Sequence, residues 1–497
     1  LALSEEKNNI VKELKELSDR IDPSYNEVSV ILAAGHGKRI KSEKSKMLHE
    51  IWGKPSVLRV SEAATNGLLS SNQVIVVGKK ALEVARALGK KKNRIFVYQE
   101  EQRGTGEAVK IAVEHEELSG FTGNVYVFPG DMGLLTNSAV VQFKKNFESS
   151  SCDMFVLTGF FEGRRAIDNY YGRIIKSGNH DNEVIEIKEY KDIVAMESDA
   201  TYTLSYKNRE EAFGRDQLLK IKEFNTGVYA FKIDPVKKLI NSITADNVQG
   251  EIYVTDLIKI FNDNGLRVGT SQVENNSMAV AFNVKSVLIN MKATFRDMIY
   301  ERLKDIITID DADDFYIAEE VVEDIIRIDE ELSPLDIQIG AGANIGKNVK
   351  INRGLSIGRN SQLKGNVSLG RNVKIGENVI ISTYPNQFLE VGDNTQILRG
   401  NVIQGEVKLG NNVRIETGVR ITGSSSNPVV IGNNVLIKGV TYIFGSIIED
   451  DLLIVHSILK NMHVEKVEKK DGEIQPIKYI FPHPEGLDSI TPIKKNS

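Results

Sequence analysis

Between Ile339 and Ile443 an aliphatic residue returns at every sixth position. The series Ile339, Ile345, Ile351, Ile357, Leu363, Leu369, Ile375, Ile381 runs unbroken. After a ten-residue step it resumes as Val391, Ile397, Ile403, Leu409, Ile415, Ile421, and after a second such step as Ile431, Ile437, Ile443. A period of six fits neither a helix nor a simple strand. It is the hexapeptide repeat of a β-helix, whose stacked units each place one aliphatic in the interior. Gly and Asn-rich residues follow the aliphatic and suit the corners. A sandwich with regular turns does not hold such a phase. Taking three units to a coil, the eighth unit (Ile381) and the fourteenth (Ile421) lie on the same edge, two coils apart. The residues inserted after each predict two loops projecting from that edge as one rim.

Upstream the texture differs. Leu3, Ile10, Leu14, Leu17 and Ile21 form one face of an amphipathic helix within residues 1–25, stopped by Asp22 and Pro23. The expected partner of that face is the chain's own following domain rather than another subunit. Residues 28–34 are an apolar run broken only by Ser29, as in a strand buried on both faces. Further runs at 74–77, 95–98, 125–128, 155–157 and 228–231 alternate with helix-compatible stretches. This pattern predicts a mainly parallel α/β sheet over 26–284, with ligands at the carboxyl ends of its strands. A helical linker is expected over 285–336, the β-helix over 337–460 and a tail over 461–497. The acidic group Asp310, Asp311, Asp313, Asp314 lacks the glycine and terminal glutamate of a calcium loop and reads as a solvated turn.

Composition narrows the function classes. A net charge of −5 gives no electrostatic footprint for nucleic acid or an anionic membrane. One cysteine, Cys152, excludes an internal disulfide framework. No apolar stretch reaches membrane-spanning length, and residues 1–21 are too charged for a signal peptide. A soluble cytoplasmic protein is expected.

The first buried strand leads into Leu32-Ala33-Ala34-Gly35-His36-Gly37-Lys38-Arg39. Two glycines one residue apart let backbone amides approach a phosphate closely. Ile40 stands where a dinucleotide fingerprint needs its third glycine, and no Gly-Lys-Ser/Thr closes the loop as a Walker motif would. Instead Arg39 and Lys46 supply positive charge nearby.

That segment, with Gly53-Lys54-Pro55 after it, resembles the signature of sugar-1-phosphate nucleotidyltransferases. The likeness continues in order through Gln99–Gly106, Gly130-Asp131, Tyr171-Gly172-Arg173-Ile174, Glu189-Tyr190-Lys191-Asp192, Asn225-Thr226-Gly227, residues 249–256 and Asn283. Followed by hexapeptide repeats, the set most resembles the N-acetylglucosamine-1-phosphate uridylyltransferase family, over roughly residues 27–460. The resemblance implies an α/β Rossmann-like nucleotidyltransferase domain followed by a left-handed parallel β-helix, and an Mg²⁺-dependent reaction of UTP with N-acetylglucosamine-1-phosphate. It implies catalytic roles for Arg39 and Lys46 at the triphosphate, and Mg²⁺ held by Asp131 and Asn283. Leu32, Ala33, Ala34, Gly35, Gly37, Gln99, Gly104 and Thr105 would bind the nucleotide, with Gln99 facing uracil and Gly104 leaving room beside the base. Gly172, Glu189 and Asn225 would bind the sugar. Ser45, Pro129 and Ala281 depart from the family pattern, but none removes a charged or metal-binding group.

Bifunctional relatives acetylate glucosamine-1-phosphate in the β-helix with a histidine base. Here no histidine falls between Ile339 and Ile443, and Gly439-Val440-Thr441-Tyr442 stands where their His-x-x-Tyr would be. His456 remains as a candidate base. The β-helix is therefore expected to be a scaffold, and the resemblance implies a homotrimer, since hexapeptide helices commonly trimerise in related proteins. The alternatives are a uridylyl- or thymidylyltransferase for another hexose-1-phosphate, an enzyme whose β-helix is also an acyltransferase, and a non-catalytic nucleotide-sugar scaffold.

Overall fold

The computed structural model describes residues 2–35, 37–163, 165, 169–177, 183–207, 209–245, 247 and 250–481. His36, His180 and Gln249 lie outside the described residues, as do residues 482–497 of the expected tail. Two compact units divide the chain, Leu1–Lys292 and Ala293–Ser497.

The first unit is built on a sheet whose principal strands are β1 (Glu27–Ala33), β2 (Gln73–Val77), β3 (Arg94–Tyr98), β4 (Asn124–Pro129), β5 (Met154–Phe160), β6 (Arg173–Lys176), β7 (Val184–Lys188), β8 (Glu223–Lys232) and β9 (Val268–Gln272). Their order is β9-β5-β8-β4-β1-β2-β3, with β6 pairing to β8 and β7. Strand β1 is parallel to β2 and β4, and β2 is parallel to β3. The 228–231 run belongs to the exception: β8 is antiparallel to both β4 and β5. Along β1, Ile31 and Ala33 enter one core while Val28 and Val30 enter another. Both faces are covered, which is why the strand reads as an apolar run broken only by the buried Ser29.

The N-terminal helix Ala2–Leu17 lies on its own unit. Leu14 is buried, with Ile10 and Leu17 packed beside it. The chain then covers the outer edge of β3: Asp19 N donates to Arg94 O at 2.7 Å, and Phe96 N donates to Ser18 Oγ at 2.9 Å. An exposed sheet edge is thereby protected.

The second unit contains three parallel sheets of nine, eight and seven strands, stacked coil on coil as a hexapeptide β-helix. Each of the seventeen repeat aliphatics from Ile339 to Ile443 is buried, none more than 7% exposed. Asn348, Asn360, Asn372, Asn378, Asn394, Asn412 and Asn434 turn corners at φ between 55° and 62°. Asparagine tolerates this left-handed backbone better than other non-glycine residues.

Two boundaries differ from expectation. The stretch 285–336 is not wholly a helical linker: Thr308–Ile309 pairs with Gln338–Ile339, and Phe315–Ile317 with Ala343–Ile345. These strands form two sides of a coil. The helix Glu319–Leu332 follows them, buries Val321, Val322 and Ile325, and lies against Val349–Lys350. The repeat also continues past 460, with His463–Val464 and Ile477–Lys478 paired onto the sheets. Its interior residues after Ile443 are Ile448, Ile454, Leu459 and Val464. Their spacing slips to five and six, which ends the legible period.

The phase argument holds at the two insertions. Ile381 pairs with Ile403 and Ile403 with Ile421, so both long steps leave the same sheet two coils apart. Phe388 N donates to Glu406 Oε2 at 3.0 Å and Val429 N to Glu406 O at 3.0 Å, which joins the two loops through the coil between them. No described helix is long and apolar enough to cross a membrane.

Candidate active site

Because β1, β3 and β4 run parallel, the loops after them emerge on one side of the sheet. These loops carry Gly35–Gly37, Gln99 and Asp131. Strand β8 runs the other way, so its beginning reaches the same side. Its register slips between Asn225 and Val228, a bulge that re-aims the backbone at Asn225-Thr226-Gly227. Phe224 pairs with Arg173 and Asn225 N donates to Gly172 O at 2.9 Å, which adds the start of β6.

Leu32, Ala33 and Ala34 form the end of β1 and its exit, with Ala33 and Ala34 buried. Gly130 N donates to Leu32 O at 3.0 Å, setting Asp131 beside the glycine loop. Gly35 is exposed. Gly37 has φ 68°, and a Cβ there would stand 2.7 Å from Lys46 Cβ. The glycine thus lets the lysine stem lie under the loop. Lys46 opens the short turn Lys46–Leu48 and is buried, as is Asp131. Its Nζ makes an ion pair with Asp131 Oδ2 and donates to Asn283 Oδ1 at 2.7 Å, with the Phe282 ring 5.7 Å away. A carboxylate and an amide oxygen converge on one positive charge. That donor set suits a hard cation that takes oxygen ligands and keeps the rest of its shell for phosphate and water. Arg39 is exposed on the turn Lys38–Ile40. Among the described residues no group of three or more His, Cys, Asp or Glu side chains is arranged to hold a metal.

In the loop after β3, Gln99 is buried, and its Nε2 donates to Glu107 Oε2 at 3.3 Å. Gly104 is required by a neighbour within the chain: at φ 124° its missing Cβ leaves space for Ile252 O, which would be 2.3 Å away. Ile252 N donates to Arg103 O at 2.7 Å and Gly106 N to Ile252 O at 2.8 Å. Thr105 is exposed and its Oγ1 accepts from Val254 N at 3.3 Å. The stretch 252–254 therefore clamps the Gln99–Gly106 segment, a role that motif order alone does not reveal.

Beside the start of β6, Glu189 Oε1 lies 3.1 Å from where a Cβ on Gly172 would sit. Burial, with Asp192 and Asp256 nearby, pushes the Glu189 carboxyl up to about 7, against the pull of Arg173 and Lys191. Asn225 donates from Nδ2 to Tyr229 Oη at 2.7 Å, and its Oδ1 accepts from Gly227 N at 2.9 Å. Tyr171 stacks on Phe224 at 4.5 Å. Burial raises its pKa, and the nearby Asp131 charge adds to the rise. Tyr171 thus stands against Phe224 with Asp131 nearby, a position that its place in the motif did not disclose.

In the β-helix the ring of His456 lies over Gly439, within 2.5 Å of the position a Cβ there would take. Its Nδ1 accepts from Val440 N at 3.3 Å and it stacks on Tyr479 at 5.6 Å. An accepting Nδ1 puts the proton of the neutral ring on Nε2.

Fold and site together define an NTP-transferase type of α/β domain joined to a hexapeptide β-helix. Residues 29–167 match the MobA-like NTP transferase domain family, and residues 389–423 match the bacterial transferase hexapeptide family. Among curated relatives, the chain is 34% identical over 295 residues to the bifunctional protein GlmU of Acetivibrio thermocellus, covering 59% of this chain and 57% of that one. It is 32% identical over 326 residues to the protein of the same name from Caldanaerobacter subterraneus subsp. tengcongensis, covering 65% and 64%. The chain is GlmU-like in carrying both domain types, and it spans less than two thirds of the length of these relatives. A solved UDP-glucose pyrophosphorylase complexed with UDP-glucose matches over 55% of this chain and 99% of its own at 15% identity, with a TM-score of 0.40.

Proposed function

We propose that this chain transfers the uridylyl group of UTP to N-acetylglucosamine-1-phosphate, giving UDP-N-acetylglucosamine and pyrophosphate. The observation that carries the reading is the convergence of Lys46, Asp131 and Asn283 beside the glycine loop. A phosphate oxygen of the sugar phosphate attacks the α-phosphorus, the bond from that phosphorus to the bridging oxygen breaks, and pyrophosphate leaves. The nucleophile is already ionised, so no general base is needed. Positioning and charge neutralisation carry the catalysis. Asp131 and Asn283 would hold Mg²⁺, which when bound supplies positive charge to the phosphate oxygens. Lys46 and Arg39 neutralise the triphosphate and the departing pyrophosphate. Gln99 offers a donor and an acceptor to the uracil edge, while Gly172, Glu189 and Asn225 receive the sugar.

The β-helix, in this reading, gathers the chain into a homotrimer. The inserted rim, with Tyr384 and Phe388 exposed on it, supports packing between copies. The engaged Nδ1 of His456 counts against acyl transfer. Pyrophosphate release measured over a panel of nucleoside triphosphates and sugar 1-phosphates tests the substrate assignment. UTP with N-acetylglucosamine-1-phosphate should lead. If glucose-1-phosphate outperforms its N-acetylated analogue, the hexosamine assignment is wrong.

A further inference from the structure

We propose that Lys46 is the resident counter-ion of the cation site, so that the site accepts a divalent cation only together with a polyphosphate anion. The inference rests on the nucleotidyl-transfer reading and deepens it. The Lys46 ammonium touches both Asp131 and Asn283, the two oxygens that would ligate the metal. A dication and an ammonium cannot share those oxygens, since like charges at contact repel by several kcal/mol. Nor can the ammonium simply leave. Lys46 and Asp131 are both buried, and an unpaired buried charge is costly.

The lysine needs another anion, and its stem lies where one would arrive. Lys46 Cβ packs under Gly37, in the loop whose backbone would face the triphosphate. Rotation about the outer bonds carries the ammonium from Asp131 toward that loop without moving the backbone. Metal entering with the triphosphate takes the carboxylate while a phosphate takes the lysine, and every charge keeps a partner. The ligand of the site is then the metal–triphosphate complex and not the free ion.

Mn²⁺ binding to the full chain, followed by the loss of the free-ion electron paramagnetic resonance signal, tests this without turnover. With no nucleotide, Lys46→Met should bind Mn²⁺ at least about ten-fold more tightly than wild type, the scale expected when a like charge at contact is removed. Adding Asp131→Asn to that variant should abolish the gain, and UTP without sugar phosphate should restore tight binding to wild type. Equal nucleotide-free affinity in wild type and Lys46→Met, or a gain that survives Asp131→Asn, overturns the proposal. Thermal unfolding of wild type provides a second measurement should Lys46→Met not fold. Mg²⁺ alone should leave the midpoint unmoved and Mg²⁺ with UTP should raise it; an equal rise from Mg²⁺ alone overturns the proposal. A wild type that releases pyrophosphate yet shows no lysine effect would leave the nucleotidyl-transfer reading standing and remove only this one.

Discussion

Ser45 occupies a position where the resembled family carries proline, and its backbone explains why the exchange is harmless. Its φ is −54°, within the range a pyrrolidine ring imposes. The exchange therefore acts on the conformational freedom of the unfolded chain. Ser45→Pro should stabilise the protein by about 0.4–1 kcal/mol, read as a higher denaturation midpoint with unchanged kcat. Lys46→Ala and Arg39→Ala should each lower kcat at least ~100-fold, the scale for losing a preorganised electrostatic contact, with circular dichroism unchanged. Glu189 makes a pH prediction. Its carboxyl titrates near 7 instead of its ordinary 4.5, so the folded protein keeps a proton that the unfolded chain has lost between those values. Its contribution to stability is full below about pH 4.5 and is lost as pH rises through about 7. Binding follows the opposite course, because the ionised form accepts hydrogen bonds from sugar hydroxyls at both oxygens. KM for the sugar phosphate should fall between pH 6 and 8 in wild type, and Glu189→Gln should lose that part of the dependence. The ionisation of the sugar phosphate itself is common to both proteins and cancels. An identical KM profile in the two would remove Glu189 from the sugar site. Residue identities were legible because charged and glycine positions recur in a fixed order. The clamp of Ile252 on Gly104 was not, because it is made by backbone atoms far apart in sequence.

At the scale of elements, periodicity was the legible quantity and its failures are instructive. A six-residue beat located the β-helix interior from Ile339 to Ile443, and the phase of its two long steps placed both insertions on one edge. The first coil escaped notice because Phe315–Ile317 gives way to the helix Glu319–Leu332, with no further strand on the third side. The last coils escaped because shorter turns change the spacing. A helix spacing likewise revealed the amphipathic face around Leu14, while its seat on β3 depended on a strand that ends next to Gln99. Shortening both rim loops, residues 384–388 and 424–428, should lower the oligomeric mass seen by sedimentation. Pyrophosphate release should persist, because those loops belong to the other unit. An unchanged mass would take the rim out of the subunit interface.

For the molecule as a whole, the proposed function puts chemistry in the first unit and assembly in the second. The central claim is that Asp131, paired with Lys46 and facing Asn283, belongs to a nucleotidyl-transfer site. The most direct measurement is pyrophosphate release from UTP and N-acetylglucosamine-1-phosphate with Mg²⁺, comparing wild type with Asp131→Ala of matched circular dichroism. The account predicts turnover by wild type and none above background for the variant. No pyrophosphate from wild type, or near-normal turnover by folded Asp131→Ala, would contradict it.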